Sequence, residues 1–139
     1  MEEIYDQLKV VSHLNEANKN LLDELFAKLS KANILGVYFI DLAIEYGEPE
    51  VLEANADLIK DIKKMGVRHN TIKQELQKAQ EVLAAMCHDK FNELSASICE
   101  GDRLMSAYLA GEYRLAVSLG GVIPFLEKLC KSAKLLQQQ

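Results

Sequence analysis

Apolar residues recur at steps of four and three through much of this chain. Ile4, Leu8 and Val11 follow that rule, as do Leu22, Leu25, Leu29 and Ala32. Ile72, Leu76, Ala79, Leu83 and Met86 repeat it, and a run shifted by one residue, Cys87, Phe91, Leu94 and Ile98, continues it. A strand would alternate every second residue, whereas this spacing places apolar groups on one stripe of a helix. Only seven glycines and two prolines are present to make turns, too few for a chain of short strands. The fold class is therefore all-α.

Helix boundaries follow from caps and breakers. The stretch "HLNEANKNLL", residues 13–22, carries Asn15, Asn18 and Asn20. Carrying the first series forward reaches Asn15, Asn18 and then Leu22, so the phase survives the polar cluster. One helix over 2–30 is expected, with Asn15 and Asn18 on its seam. The competing reading has Asn15 capping a second helix. The apolar segment 33–46 reads as a central helix stopped by Gly47. Pro49 begins the next, 49–65, with Glu48, Glu50 and Glu53 near the positive end of its dipole, Lys60, Lys63 and Lys64 near the negative end, and Gly66 as its stop. Thr71 and Gln74 form a capping box for 71–99, with a phase slip or bend near His88. Asp102 caps 102–119, which Gly111 weakens, and Gly120–Gly121 turns the chain into 122–137. The expectation is one domain, 1–139, of about six helices in a bundle or a short stack of hairpins. "LAIEY" at 42–46 and "LAGEY" at 109–113 suggest a diverged duplication of a three-helix unit; chance in a Leu- and Ala-rich chain accounts for them as well.

Several chemistries lack a signature. There is no H-E-x-x-H, no G-x-S-x-G and no glycine-rich phosphate loop. Cys87, His88, Cys99 and Cys130 are zinc-ligand types without a C-x-x-C knuckle, and are read as small core thiols beside an exposed imidazole. Neighbouring helical residues point about 100° apart, so Cys87 and His88 do not form a dyad. No catalytic residue, metal or cofactor is assigned. Three widely spaced cysteines point to reduced thiols and a cytoplasmic setting. The acidic start lacks the basic and apolar regions of a signal peptide. The longest uncharged run, Leu115 to Leu126, is twelve residues, short of the roughly 20 that span a bilayer.

Charge is unevenly spread. Residues 1–59 hold four basic and twelve acidic groups, whereas 60–78 hold six basic and two acidic. The basic segment, with Lys60, Lys63, Lys64, Arg68 and Lys73, offers a surface for nucleic acid, but it has no aromatic to stack a base. The acidic stretch includes Asp41, Glu45 and Glu53 and would steer a basic partner. Seam asparagines are known for fixing register and partner choice. The favoured function is a non-enzymatic protein-interaction module: an adaptor, a chaperone-like binder or an inhibitor. Its expected contact surface is the first helix at Leu14, Asn15, Asn18 and Leu22, with Asp41, Glu45 and Glu53 steering. The partner is another protein, or a second copy in a homo-oligomer. The alternatives are a nucleic-acid-associated helical protein using 60–78, and a small-molecule binder or enzyme with a pocket near Tyr38, Met86, Cys87 and Tyr108.

Overall fold

The computed structural model describes residues 1–31 and 49–138. Among them are five helices: α1 (Glu2–Lys31), α2 (Pro49–Ala54), α3 (Ala56–Cys99), α4 (Arg103–Leu119) and α5 (Val122–Gln137). No strand occurs among the described residues. The helix expected over 33–46 lies outside them, as do Tyr38, Asp41, Glu45, Gly47 and Glu48.

α1 is a single helix through its asparagines. Asn15 caps nothing. Ile4, Val11, Asn18 and Leu25 succeed one another at seven residues, and all four are buried or half-buried. Leu14 and Leu21 form the companion series, so the seam passes through Leu14 and leaves Asn15 exposed. The expected seam position of Asn15 is thus wrong by one residue. A step of three from Val11 to Leu14, rather than four to Asn15, keeps the seven-residue repeat.

The larger correction concerns 49–99. The expected pair, 49–65 and 71–99, is replaced by the short α2 and by α3, which runs unbroken for 44 residues. Gly66 sits inside the helix, and Thr71 caps nothing: its Oγ1 donates to the carbonyl of Val67 at 3.1 Å, one turn back. The physical reason is seam continuity. Leu58, Met65, Ile72 and Ala79 recur at seven residues, with Ile62, His69 and Leu76 between them, all buried or half-buried. A helical glycine costs about 1 kcal/mol relative to alanine. Burying one side chain such as Ile62 or Met65 contributes roughly 1.5–3 kcal/mol, which outweighs it. The helix also runs through the expected slip near His88. Its seam widens there, with Met86 half-buried and Cys87 buried.

The end signals around α4 act as the sequence implies. Asp102 Oδ1 accepts from the backbone N–H of Leu104 at 3.0 Å and of Met105 at 3.2 Å. Gly120 takes φ 74° after the last turn, and its N–H closes onto the carbonyls of Ala116 and Val117. Gly111 does not split the helix.

The chain forms two compact units, residues 9–79 and residues 1–8 with 80–139. In the 9–79 unit Leu21 and Leu25 of α1 pack with Ile62 and Met65 of α3, flanked by Leu22, Leu58 and Ile72. Lys28 pairs with Asp61 at 3.4 Å, an exposed bridge worth under about 1 kcal/mol. The other unit gathers Ile4, Cys87, Phe91, Leu94, Leu109, Leu126 and Leu129. Phe91 stacks on Tyr113 with centroids 4.4 Å apart and planes 11° apart, and Phe125 sits 6.2 Å from Phe91. Leu126 is fully buried.

Among the described residues, nothing lies within 4 Å of an added Cβ at Gly66. Gly66→Ala is therefore expected to raise stability by about 1 kcal/mol. Urea titration followed by circular dichroism measures it; a loss of stability would mean that residue 66 is a helix stop after all.

Candidate interaction surface

α4 presents apolar side chains on two faces. Its inner face is set by buried Leu109 and half-buried Tyr113 and Ala116. Tyr113 joins the Phe91 stack, and burial, then the neighbouring Cys87, pushes its phenol above the usual tyrosine range. At about 100° per residue, Leu104, Tyr108, Leu115 and Leu119 fall on a second arc about 60° wide, centred about 110° from Leu109. All four are exposed, Leu104 at 86% and Leu119 at 76%. Met105 continues this arc on one side, and Gly111 and Ser118 lie along the other. Single exposed apolar residues are ordinary; here two pairs, Leu104 with Tyr108 and Leu115 with Leu119, share one arc, with Gly111 and Glu112 between them.

A cleft of about 660 Å³ lies between the end of α3 and the start of α4, on the opposite side of Leu109 from this arc. Its walls are small: Ser95 and Ala96 on α3, and Ser106, Ala107 and Ala110 on α4. Ser95 is buried, with its hydroxyl 3.8 Å from the Cys99 thiol. Asp102 and Arg103 close one end. Small residues occupy this side of α4 because α3 turns into α4 here within three residues, Glu100 and Gly101 both taking positive φ.

The residues singled out from sequence lie elsewhere. Leu22 packs against the core of the 9–79 unit, Leu14 and Asn18 are half-buried, and Asn15 and Glu53 are exposed. Asn18 Oδ1 and His69 Nδ1, both in that unit, are buried side-chain atoms without a hydrogen-bond partner among the described residues. Lys60, Lys63, Lys64, Arg68 and Lys73 are all exposed along α3. Helical spacing puts Lys60, Lys64 and Arg68 on one face and turns Lys73 well away from them. Of the residues grouped as a pocket, Cys87 is in the core, Met86 packs against it, and Tyr108 stands in solvent on α4. Among the described residues no three His, Cys, Asp or Glu side chains gather to hold a metal ion. Cys87, Cys99 and Cys130 are free thiols, the first two buried. No described helix is long and apolar enough to cross a membrane.

The exposed arc was missed because the caps at Asp102 and Gly120 bound the helix 102–119 without assigning its faces. The signal that finds it is angular. Leu104, Tyr108, Leu115 and Leu119 cannot share a stripe with Leu109, Tyr113 and Ala116 on one helix.

Comparison with protein-family models, with curated proteins and with solved structures finds no match.

Two predictions follow from the buried groups. Burial pushes the Cys87 thiol up, and Tyr113 moves the same way. Below their ordinary values both groups are protonated in the folded and the unfolded chain, so nothing is lost. As pH rises past about 8.5–10 the unfolded chain ionises first. Stability is expected to fall through that window until the folded groups ionise too, and Cys87→Ala should flatten the fall. Urea midpoints at stepped pH measure both effects; a flat profile would contradict the burial of these groups. At Asn18 the buried, unpartnered carbonyl predicts the opposite of an ordinary polar-to-apolar change. Asn18→Leu is expected to stabilise by roughly 1–3 kcal/mol, the penalty for such an orphan. A destabilised variant would show that Asn18 has a partner in solution.

Proposed function

We propose that this chain is a non-enzymatic protein-interaction module that works by presenting a helical surface, and that the outward face of α4 is that surface. The observation that carries the reading is the exposed arc of Leu104, Tyr108, Leu115 and Leu119. Leaving such a patch in water costs about 25 cal/mol for each Å², which association recovers. The caps at Asp102 and Gly120 hold α4 at both ends, so the face is rigid before anything binds it, and less ordering entropy opposes binding. The exposed arc supports α4, rather than the first helix, as the contact element. In α1, Leu22 is committed to the core and Asn18 is half-buried, leaving Asn15 as the accessible residue of that set. The setting proposed is cytoplasmic, with the three free thiols as its support.

The test compares three forms in crosslinked capture from cells: wild type, Tyr108→Glu with Leu115→Glu, and Asn15→Lys. Both sites are exposed, so circular dichroism should be unchanged in all three. The α4 variant is expected to lose the captured protein while Asn15→Lys keeps it. Loss with Asn15→Lys alone would return the contact to the first helix, and retention by all three would remove both surfaces.

A further inference from the structure

We propose that the cleft between α3 and α4 binds a free α-amino acid with an uncharged polar side chain. The site is separate from the outward arc of α4, so neither reading depends on the other. Its walls are two facing stripes at helical spacing: Ser95, Ala96 and Cys99 on α3, and Ser106, Ala107 and Ala110 on α4. Small side chains facing one another ordinarily let two helices close up. Here they do not. Ser106 and Ala107 stay exposed, and about 660 Å³ separates the walls. That volume lies in the range of small-molecule pockets, about 300–1,000 Å³.

One buried hydroxyl in the wall lacks a good partner. Thr71 and Ser118 each donate to the carbonyl one turn back, at 3.1 Å. Ser95 makes no such bond among the described residues. It is 8% exposed, and its hydroxyl has only the Cys99 thiol at 3.8 Å, a weak partner. A buried hydroxyl normally finds an oxygen or a nitrogen, and the cleft is the side from which one can come. The end of the cleft adds two opposite charges. Both capping bonds land on Asp102 Oδ1, which leaves Oδ2 as an acceptor. Arg103 lines the same end, and neither residue makes an ion pair among the described residues. A simple anion there would meet Asp102, and a simple cation would meet Arg103. The complement is a molecule with both signs on neighbouring atoms: an ammonium at Asp102 Oδ2 and a carboxylate against the Arg103 guanidinium, a fork suited to carboxylates. The side chain then runs along the alanine walls, and a hydroxyl or amide on it supplies the partner that Ser95 lacks.

Glutamine is the probe, titrated into the isotope-labelled full chain and followed by amide chemical shifts. A ligand of about ten heavy atoms is expected to bind with a Kd on the order of 1 mM, so the titration runs to about 10 mM. Saturable shifts confined to the cleft walls are expected. N-acetylglutamine lacks the ammonium and the α-amide of glutamine lacks the carboxylate; each should bind about tenfold more weakly or worse. Asp102→Asn removes one charge but keeps a capping oxygen, and Arg103→Gln removes the other. Each should weaken glutamine by a similar factor with circular dichroism unchanged. Ala107→Leu, at an exposed wall position, should fill the cleft and abolish binding. No saturable shift, or binding that survives Ala107→Leu or the two charge changes, overturns the site. N-acetylglutamine that binds as well as glutamine would overturn the amino acid and leave an anion at Arg103; leucine that binds equally well would overturn the polar side chain.

Discussion

Seam phase along α3 is the constraint on which the rest depends. This one helix supplies Ile62 and Met65 to one compact unit and Cys87, Phe91, Leu94 and Cys99 to the other. Within either unit a single-residue slip would turn the apolar stripe by about 100° away from its partners. The seven-residue repeat prevents that. It differs from the natural period of a straight helix by only about 20° in each repeat. Inside the 9–79 unit the drift from Leu58 to Ala79 is therefore about 60°, within the width of an apolar stripe. The broadening at Met86 and Cys87 is where the drift is taken up, with two adjacent residues buried or half-buried in place of one.

The same rule explains which parts of the fold could be read in the sequence. Following phase through the asparagines gave α1 correctly, because a true break resets the phase and this one did not. The identical argument holds at Gly66, where Met65 and Ile72 keep the repeat, but the glycine, the three lysines before it and the Thr71–Gln74 pair all imitate a helix end. Local end signals are each worth about 1 kcal/mol or less. Burial of several seam residues on both sides is worth more, so it decides. Where no seam crosses the signal, the signal wins. Asp102 and Gly120 close helices that turn back to meet in one core, and there the caps mark real ends.

The candidate site was far less legible. Sequence reasoning looked for polar residues on apolar seams and for runs of charge, and so it fixed on Asn15, Asn18 and the lysines of α3. The structure shows the seam position at Asn18 to be a feature of the 9–79 core, with its carbonyl unpartnered and Leu22 packed close by. The α4 arc escaped notice because exposure is a property of the neighbours. Leu104 and Leu109 are the same residue type on the same helix, and only the placement of Phe91 and Leu126 makes one of them core.

The same contrast separates α4 from α5. α5 buries Leu126, Leu129 and Ala133 in its core-facing stripe, and its exposed Leu135 and Leu136 lie in the last turn, where helices fray. α4 has an apolar arc that runs from its first turn to its last between two firm caps. An apolar side chain that no core needs carries an aggregation risk at every encounter.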